Sequence, residues 1–391
     1  MSRKVYLDNA STTFVSGEVL SEILPCFNAL YGNSNSLHSY GRDASAIVDR
    51  ARDRIAHAIN AQKSNEIYFT SGGTEADNWA IKGIARANAS KGKHIITSSI
   101  EHHAVLDSCK QLEKEGFEVT YLPVDKFGIV SVADLIHAIR KDTILVSIMA
   151  VNNEVGTIQN IKALAKTAHD YGVIFHTDAV QAIGAFKIDV QDMEIDAMSI
   201  SAHKIYGPKG VGALYLKNGI AIENLIDGGT QERGKRGGTV NVPYVAGLGK
   251  AVEIACRDIS INQQKLKAIR DYFIKSVNEK IDYVQINGHP HQKINGTVNM
   301  SFEMVEGESL LMLLDLDGIA VSTTSACMSN ALEPSHVLKA MGLEDELAQS
   351  AVRFSFGKNL SKSDIDYVVE CLAKDVAKLR SISALTKAGR R

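Results

Sequence analysis

Between residues 66 and 216, short apolar runs alternate with stretches in which apolar residues recur at helical spacing. Several of these runs, for example ILVSIM at 144–149, are almost continuously apolar instead of alternating with polar residues. Such runs are typical of strands that are buried on both faces of a parallel sheet. The repeated strand–helix units therefore predict a large α/β domain, with helices on both faces of a mostly parallel sheet. The predicted strands are 67–70, 94–98, 118–122, 144–149, 173–177, 197–201 and 212–216.

After the glycine-rich residues 228–239 the pattern changes. A helical pattern covers residues 244–279, and four short strand-like runs and a final helix over 363–380 follow it. This order predicts a smaller α+β domain that the N-terminal residues complete. We therefore expect a large domain at 15–255 and a small domain formed by 1–14 and 256–391. The predicted strands of the small domain are 284–286, 296–302, 319–322 and 352–356.

Composition narrows the classes of partner. A length of 391 residues agrees with about two domains. The formal net charge of −2 gives no positive electrostatic potential that would attract nucleic acid or an anionic membrane. Small molecules and proteins are therefore the expected partners. No apolar run reaches the roughly 18 residues that span a bilayer, and the first residues lack the pattern of a signal peptide. The five cysteines form no Cys-x-x-Cys pair, so we expect a cytoplasmic protein with free thiols and no resident metal.

Two polar clusters follow predicted strands of the large domain. The turn from Ser71 to Glu75 contains small residues that would let backbone N–H groups surround an anion, although most such turns bind nothing. Asp178 and Gln181 follow the strand 173–177, at the edge where open α/β sheets bind their ligands. Asp178 could keep a pyridine nitrogen protonated there, or it could cap a following helix, and the sequence leaves both open.

Two further residues are candidates for covalent chemistry. Lys204 follows the strand 197–201, and a lysine in a partly desolvated pocket can lose its proton and form a Schiff base. The alternative is a solvated lysine, which is the usual state of a lone lysine at a strand end. Cys327 lies among small polar residues of the predicted small domain, where an accessible thiol can act as a nucleophile. The alternative for any one cysteine is a small buried hydrophobe.

In combination, these clusters resemble the cysteine desulfurases of the NifS/IscS type. That family belongs to the class V aminotransferases and to the fold-type-I (aspartate aminotransferase-like) pyridoxal-phosphate enzymes, and the resemblance covers nearly the whole chain. It implies an enzyme that removes sulfur from L-cysteine, releases L-alanine and passes a Cys327 persulfide to an acceptor, for iron–sulfur cluster assembly or tRNA thiolation. The motifs that carry the resemblance are LDNASTT at 7–13, TSGGTE at 70–75, EHHAV at 101–105, VNNEVG at 151–156, HTDAVQ at 176–181, SAHK at 201–204, RGGT at 236–239, SAC at 325–327 and EPSHVL at 333–338.

The resemblance implies that pyridoxal 5'-phosphate is the cofactor and that four residues contact its ring. Lys204 would bind the cofactor as a Schiff base. Asp178 would pair with the pyridine nitrogen, and Gln181 would pair with the ring hydroxyl. His102 would stack on the ring and serve as acid and base.

The same resemblance assigns residues to the phosphate and to the substrate. Asn153, beside the cofactor, and Arg353 would hold the carboxylate of L-cysteine, Arg353 through its bidentate guanidinium geometry. Cys327 would receive the sulfur. A homodimer is implied because one of the phosphate ligands, Thr239, would come from the partner subunit. The phosphate-binding residues would be Gly73, Thr74, Ser201, His203 and Thr239.

The chain also departs from the family pattern. The family usually has glycine where this chain has Thr324, and proline where it has Ser34. Loss of a glycine restricts φ, which affects the sulfur-transfer rate or the choice of acceptor more than cofactor binding. The acceptor, such as an iron–sulfur scaffold protein, stays open, and so does a transient contact of Cys327 with a cluster. Two alternatives share the cofactor residues: a selenocysteine lyase or related class V aminotransferase, and a non-catalytic protein that keeps the fold.

Overall fold

The computed structural model describes residues 3–323 and 334–382 of the chain. Their strands, in chain order, are β1 (Val5–Tyr6), β2 (Ile67–Thr70), β3 (His94–Ser98), β4 (Glu118–Leu122), β5 (Thr143–Ser147), β6 (Ile174–Asp178), β7 (Ala197–Ser201), β8 (Gly212–Leu216), β9 (Val284–Asn287), β10 (Thr297–Phe302), β11 (Ile319–Ala320), β12 (Ser322–Thr323) and β13 (Ala351–Ser355). Their α-helices are α1 (Gly17–Ile23), α2 (Pro25–Asn28), α3 (Ser39–Ala58), α4 (Gly73–Asn78), α5 (Ile84–Ala87), α6 (His103–Lys114), α7 (Val132–Ala138), α8 (Ile161–Asp170), α9 (Val242–Arg257), α10 (Ile259–Lys280), α11 (Gly307–Leu316), α12 (His336–Ala340), α13 (Asp345–Gln349) and α14 (Lys362–Ile382).

Seven strands form the central sheet, in the order β2-β8-β7-β6-β5-β3-β4. Neighbours from β7 to β4 are parallel, whereas β8 runs antiparallel to β7 and to β2. Adjacent residues on one strand, such as Leu145 and Val146, pack into two different apolar cores. Because successive side chains of a strand point to opposite faces, the sheet is covered on both sides. The predicted mostly parallel α/β sheet is confirmed, and its predicted strands lie within two residues of the observed ends.

A second sheet, in the order β12-β13-β10-β9, is antiparallel and packs into a separate apolar core. Leu7 from the N-terminal segment is fully buried in this core, beside residues of α10, α11 and α14. Strand β1 pairs in parallel with β11, and its register joins Val5 to Ile319. The N-terminal residues therefore pack with the last third of the chain.

Two predicted elements differ from the observed ones. The helical pattern at 244–279 is two helices, because Asp258 both ends α9, with its N–H bonded to Ile254, and precedes α10. Asp is a poor residue for a helix interior and a good one for a boundary. The predicted strand 319–322 is also divided, since β11 pairs with β1 whereas β12 pairs with β13. The chain thus leaves one sheet and enters another at Val321.

The carboxyl ends of β6 and β7 define where the candidate site lies. The N-terminal segment crosses this edge, since Thr13 N–H donates to the carbonyl of His203 and Asp8 forms a bridge with Ser355. The edge is therefore bounded by the central sheet on one side and by the second sheet on the other. Within the two described ranges, no helix is both long enough and apolar enough to cross a membrane.

Candidate active site

Lys204 lies directly after β7, in the one-turn 3-10 helix Ala202–Lys204. Its Nζ donates to the carbonyl oxygens of Ala10, at 2.5 Å, and Ser11, at 2.8 Å. A lysine that donates to two backbone carbonyls is held in one position, unlike a solvated surface lysine. Lys204 therefore points from the end of β7 toward the N-terminal segment, which forms the opposite side of the site.

Asp178 ends the neighbouring strand β6 and is 7% exposed. Burial raises the pKa of its carboxyl to about 6, while the nearby charge of Lys204 works to lower it. Its Oδ1 accepts the backbone N–H of Val180 at 2.8 Å, but turns follow it, so it does not cap an α-helix. Of the two roles that the sequence left open for Asp178, the helix cap is thus wrong.

Gln181 and His102 complete the surroundings of Lys204. The side-chain amide of Gln181 donates to the carbonyl of Ala10 at 3.0 Å, the same oxygen that Lys204 contacts. His102 is the N-cap of α6, and its Nδ1 accepts the N–H of Ala104 at 3.1 Å. That bond places the proton of the neutral imidazole on Nε2. Burial and the charge of Lys204 lower the pKa of His102, so the ring is neutral at pH 7.

A cavity of about 450 Å³ opens beside this group and is lined by small and polar residues. Gly73 has no room for a side chain, because a Cβ there would lie 2.7 Å from Val180 Cγ2. His203 Nδ1 is 3.2 Å from Thr12 Oγ1, and burial lowers the pKa of His203 to about 4, helped by Lys204 and Lys209. The lining residues are Ser11, Thr12, Ser71, Gly72, Gly73, Thr74, Glu75, Ser201, His203, Lys209 and Gly210.

Arg353, on β13, lies on the opposite side of the N-terminal segment and is 7% exposed. Its NH2 group donates to Asp8 Oδ1 at 3.0 Å and to Ser11 Oγ at 2.7 Å, and its NH1 group donates to the backbone oxygen of Asn153 at 3.0 Å. Its Nε is buried and has no hydrogen-bond partner among the residues that the structure describes. Because an unsatisfied buried donor is costly, this nitrogen marks a position where a ligand acceptor would bind.

Some sequence-predicted residues lie apart from this group. Thr239 lines a separate cavity, although that cavity shares Ser71 and Gly210 with the one beside Gly73. Asn153 is joined to Arg353 through its backbone oxygen, and the role predicted for its side chain stays a prediction. Cys327 and Thr324 lie outside the described residues.

Sequence reasoning missed the part that the N-terminal segment plays. Ala10 and Ser11 contact Lys204, and Asp8 and Ser11 bind Arg353, so this segment connects the two positively charged residues. The signal was present as a polar run, DNASTT, directly after a short apolar strand. A second missed residue is Glu101, whose carboxyl is fully buried beside His102.

Glu101 and four cysteines carry buried or partly buried titratable groups. Glu101 Oε1 accepts from Ser98 Oγ at 2.5 Å and from the N–H of Met149 at 2.9 Å, while burial raises its pKa to about 8. All four cysteines of the described ranges are free, and burial raises the pKa of each thiol. These thiols are Cys26, Cys109, Cys256 and Cys371.

Comparison with known proteins adds to this geometry. The family model described as aminotransferase class-V matches residues 5–368. The chain is 51% identical over 383 residues to a protein of Dictyoglomus turgidum named cysteine desulfurase IscS, covering 98% of this chain and 97% of the relative. A solved structure of a NifS-like protein is 37% identical, with a TM-score of 0.91 over 96% of this chain and 100% of that one. A structure described as SspA in complex with cysteine is also 37% identical, with a TM-score of 0.81 over 90% of this chain and 99% of the other.

Proposed function

This chain belongs to the class-V aminotransferase family and, within it, to the cysteine desulfurases, and we propose that it moves the sulfur of L-cysteine onto its own Cys327 and releases L-alanine. The observation that carries the proposal is the contact group around Lys204. The lysine lies at the carboxyl end of one strand, and Asp178 ends the next strand, with its pKa raised by burial and opposed by the charge of Lys204. A lysine and a buried carboxyl in this relation suit a cofactor that is covalently bound at one end and protonated at its ring nitrogen.

Enzymes of this family use pyridoxal phosphate, and three features of the chain fit that group. The cavity beside Gly73 offers hydroxyl groups and backbone N–H groups to a phosphate, and Lys209 and His203 also line it. Asp178 would bind the pyridine nitrogen, and Gln181 would lie at the ring edge. Lys204 would supply the amine. When bound, the cofactor supplies the electron sink that lets the carbon–sulfur bond of the substrate break.

Arg353 would orient the substrate. Its guanidinium is fixed by Asp8, Ser11 and the backbone of Asn153, which leaves the buried Nε to donate to a carboxylate. A guanidinium held in this way orients a carboxylate without losing side-chain entropy on binding. We infer that Arg353 selects amino-acid substrates and that the side-chain amide of Asn153 assists it.

His102 would move protons. Its lowered pKa keeps the ring neutral at pH 7, and the bond from Ala104 to Nδ1 assigns the exchangeable proton to Nε2. A neutral imidazole with one fixed tautomer can accept and return a proton during a single turnover. We infer that His102 is the acid and base of the reaction.

Cys327 would act as the nucleophile. Its thiolate would attack the sulfur of the substrate, so that one sulfur–sulfur bond forms while one carbon–sulfur bond breaks, and the substrate carbon then takes a proton to give alanine. The four other thiols have raised pKa values, which makes them poor competitors at neutral pH. The loop of Cys327 and its acceptor, a protein such as an iron–sulfur scaffold, belong to this proposal.

A homodimer is also part of the proposal. Thr239 is exposed in the single chain and lines a cavity that also includes Ser71, the first residue of the turn proposed to bind the phosphate. The surface of α1 and α2 exposes Leu20, Leu24 and Phe27, which suits burial against a second copy. The two-domain division at 15–255 and the cytoplasmic location stay predictions.

The test uses the purified full-length chain and two variants. The wild-type protein should show an absorption band of bound pyridoxal phosphate that changes when L-cysteine is added, and it should form alanine. Cys327→Ala should keep the band and form no protein-bound persulfide, whereas Cys371→Ala, the matched control, should form persulfide normally. Lys204→Ala should lose the covalently bound cofactor. Persulfide formation in Cys327→Ala would refute the role of Cys327, and preference for selenocysteine over cysteine would favour the alternative of a selenocysteine lyase.

A further inference from the structure

Strand β2 is one of the two edge strands of the central sheet, and its last residue precedes the turn from Ser71 to Thr74, which includes the first two residues of α4. Its outer side is covered by side chains rather than by another strand. The N–H of Phe69 donates to Glu232 Oε2 at 2.9 Å, and the carbonyl of Ile67 accepts from the side chains of Arg52 and Arg233. An edge strand normally presents free backbone groups, so these contacts fix its position from outside.

Glu232 is the central residue among the side chains that bind the outer side of β2. It is 7% exposed, and its two carboxylate oxygens accept from Arg52 NH1 and NH2 at 2.9 and 2.8 Å. Arg52 is 8% exposed and lies over the ring of Phe69, with 4.6 Å between the guanidinium carbon and the ring centroid. Two buried charges with this bidentate geometry bring together α3, β2 and the segment Gln231–Gly234, which are far apart in sequence.

The backbone of this segment is held in an uncommon conformation. Glu232 and Arg233 have φ values of 45° and 59°, in the left-handed region that residues with side chains rarely adopt. The following Gly234 has a φ of 75°. Consecutive left-handed residues persist only where surrounding contacts over-determine them, and the contacts of Glu232 and Arg233 with β2 are of that kind.

A second ion pair, two residues beyond this segment, reaches the turn. The N–H of Lys235 donates to the carbonyl of Glu232 at 3.1 Å, which connects Arg236 to the segment. Arg236 Nε donates to Glu75 Oε1 at 2.9 Å, and Glu75 Oε2 accepts the N–H of Ser71 at 2.7 Å. Burial works to raise the pKa of Glu75, but the hydrogen bonds from Arg236 and Ser71 bring it below its usual value. The carboxylate is therefore charged and bonded at both ends. Through Glu75, the position of Arg236 determines the position of the Ser71 backbone.

We propose that Glu232 is a positioning residue for the cofactor phosphate, which it serves by fixing Arg236 and, through Glu75, the turn from Ser71 to Thr74. This inference rests on the proposed function, because it needs pyridoxal phosphate at the cavity beside Gly73. Glu232 does not line that cavity and touches neither the lysine nor the substrate arginine. Its substitution would affect the phosphate end of the ligand and leave the ring end unchanged.

The test compares pyridoxal phosphate with pyridoxal, which lacks the phosphate. Full-length protein is freed of cofactor, and the Kd of each ligand is measured by absorbance titration for wild type, Glu232→Gln and Arg236→Gln. Both variants should weaken the binding of pyridoxal phosphate by about tenfold or more while the Kd of pyridoxal changes less than about twofold. The matched control is Glu22→Gln, which removes a 2.9 Å ion pair with Arg54 on the same helix as Arg52 and should change neither Kd.

Each result decides the proposal. Equal losses for both ligands in Glu232→Gln and Arg236→Gln would overturn it, because they would indicate general damage to the fold. Unchanged preference for pyridoxal phosphate in both variants would also overturn it. If Glu232→Gln does not fold, Glu232→Asp, which keeps the charge and shortens the side chain, replaces it and is judged by the same two criteria, since Arg236→Gln tests only the link from Arg236 to Glu75. A wild-type protein that binds neither ligand would instead refute the proposed function.

Discussion

Replacement of Arg353 by lysine keeps the positive charge and removes the planar guanidinium. In the structure the guanidinium donates hydrogen bonds to Asp8, Ser11 and the backbone oxygen of Asn153 at the same time. Its Nε is available to donate to a ligand. A single ammonium group cannot reach all of these acceptors in the same geometry. The variant should therefore lose the Nε contact to the substrate and the fixed orientation of the remaining contacts.

The magnitude follows from the contact that is lost. A hydrogen bond to a charged group contributes about 1.5–3 kcal/mol, which corresponds to an increase of about 10- to 150-fold in KM for L-cysteine. The absorption of the bound cofactor should stay unchanged, since Arg353 has no contact with Lys204 or Asp178 among its hydrogen bonds. Arg50→Lys is the matched control, because the Arg50 side chain is 53% exposed and, within the described residues, its ion pair with Glu22 is a long one of 3.8 Å.

The assay compares L-cysteine with cysteamine, which lacks the carboxylate. Wild type should discriminate strongly between them, and Arg353→Lys should discriminate weakly, because the group that senses the carboxylate is missing. A variant whose KM for L-cysteine stays within about twofold of wild type, or which still prefers L-cysteine to cysteamine as strongly, would refute the assignment.

Two further predictions concern the cavity beside Gly73 and the buried carboxyl of Glu101. Gly73→Ala should weaken the binding of pyridoxal phosphate because the added Cβ would meet Val180 at 2.7 Å, whereas Gly17→Ala, with nothing within 4 Å, should bind it normally in the same titration. Glu101→Gln should change the pH dependence of stability, since a carboxyl whose pKa rises from 4.5 to about 8 on folding stabilises the protein at low pH and loses that contribution as pH rises through 8. The melting temperature of wild type should thus fall relative to Glu101→Gln between about pH 5 and about pH 9, and parallel profiles would contradict the burial argument.

The large sheet was predictable because several of its strands are marked by nearly continuous apolar runs, which are typical of burial on both faces. The antiparallel direction of β8 is indicated by the length of its connection to β7 and not by the apolar pattern. Ten residues separate Ser201 from Gly212, too few for the crossover of a dozen or more that a parallel connection needs. Strand direction was therefore available from connection length even though apolar periodicity carries no information on it.

The site was predictable where its residues follow strands and was not where side chains meet across the fold. Asp178 ends β6 and Lys204 follows the end of the adjacent parallel strand β7 by three residues, so their proximity follows from sheet geometry. The pair of Arg52 and Glu232 joins residues 180 positions apart, and no local pattern indicates it. The contacts of Asp8 and Ser11 with Arg353 escaped prediction for the same reason, although the polar run that contains them was visible.

The hydrogen bond from Arg353 to Asp8 limits how early in its synthesis the protein can complete the candidate site. The hydrogen-bonded residues are 345 positions apart, and the carbonyl of Leu7 also accepts the N–H of Ser355. At a synthesis rate of about 5–20 residues per second, the N-terminal segment waits on the order of tens of seconds before its partners exist. During that interval the large sheet can form while Arg353 has not yet been synthesised. Under the proposed function, the nascent chain can therefore form the proposed cofactor pocket before it can bind the carboxylate of an amino acid there.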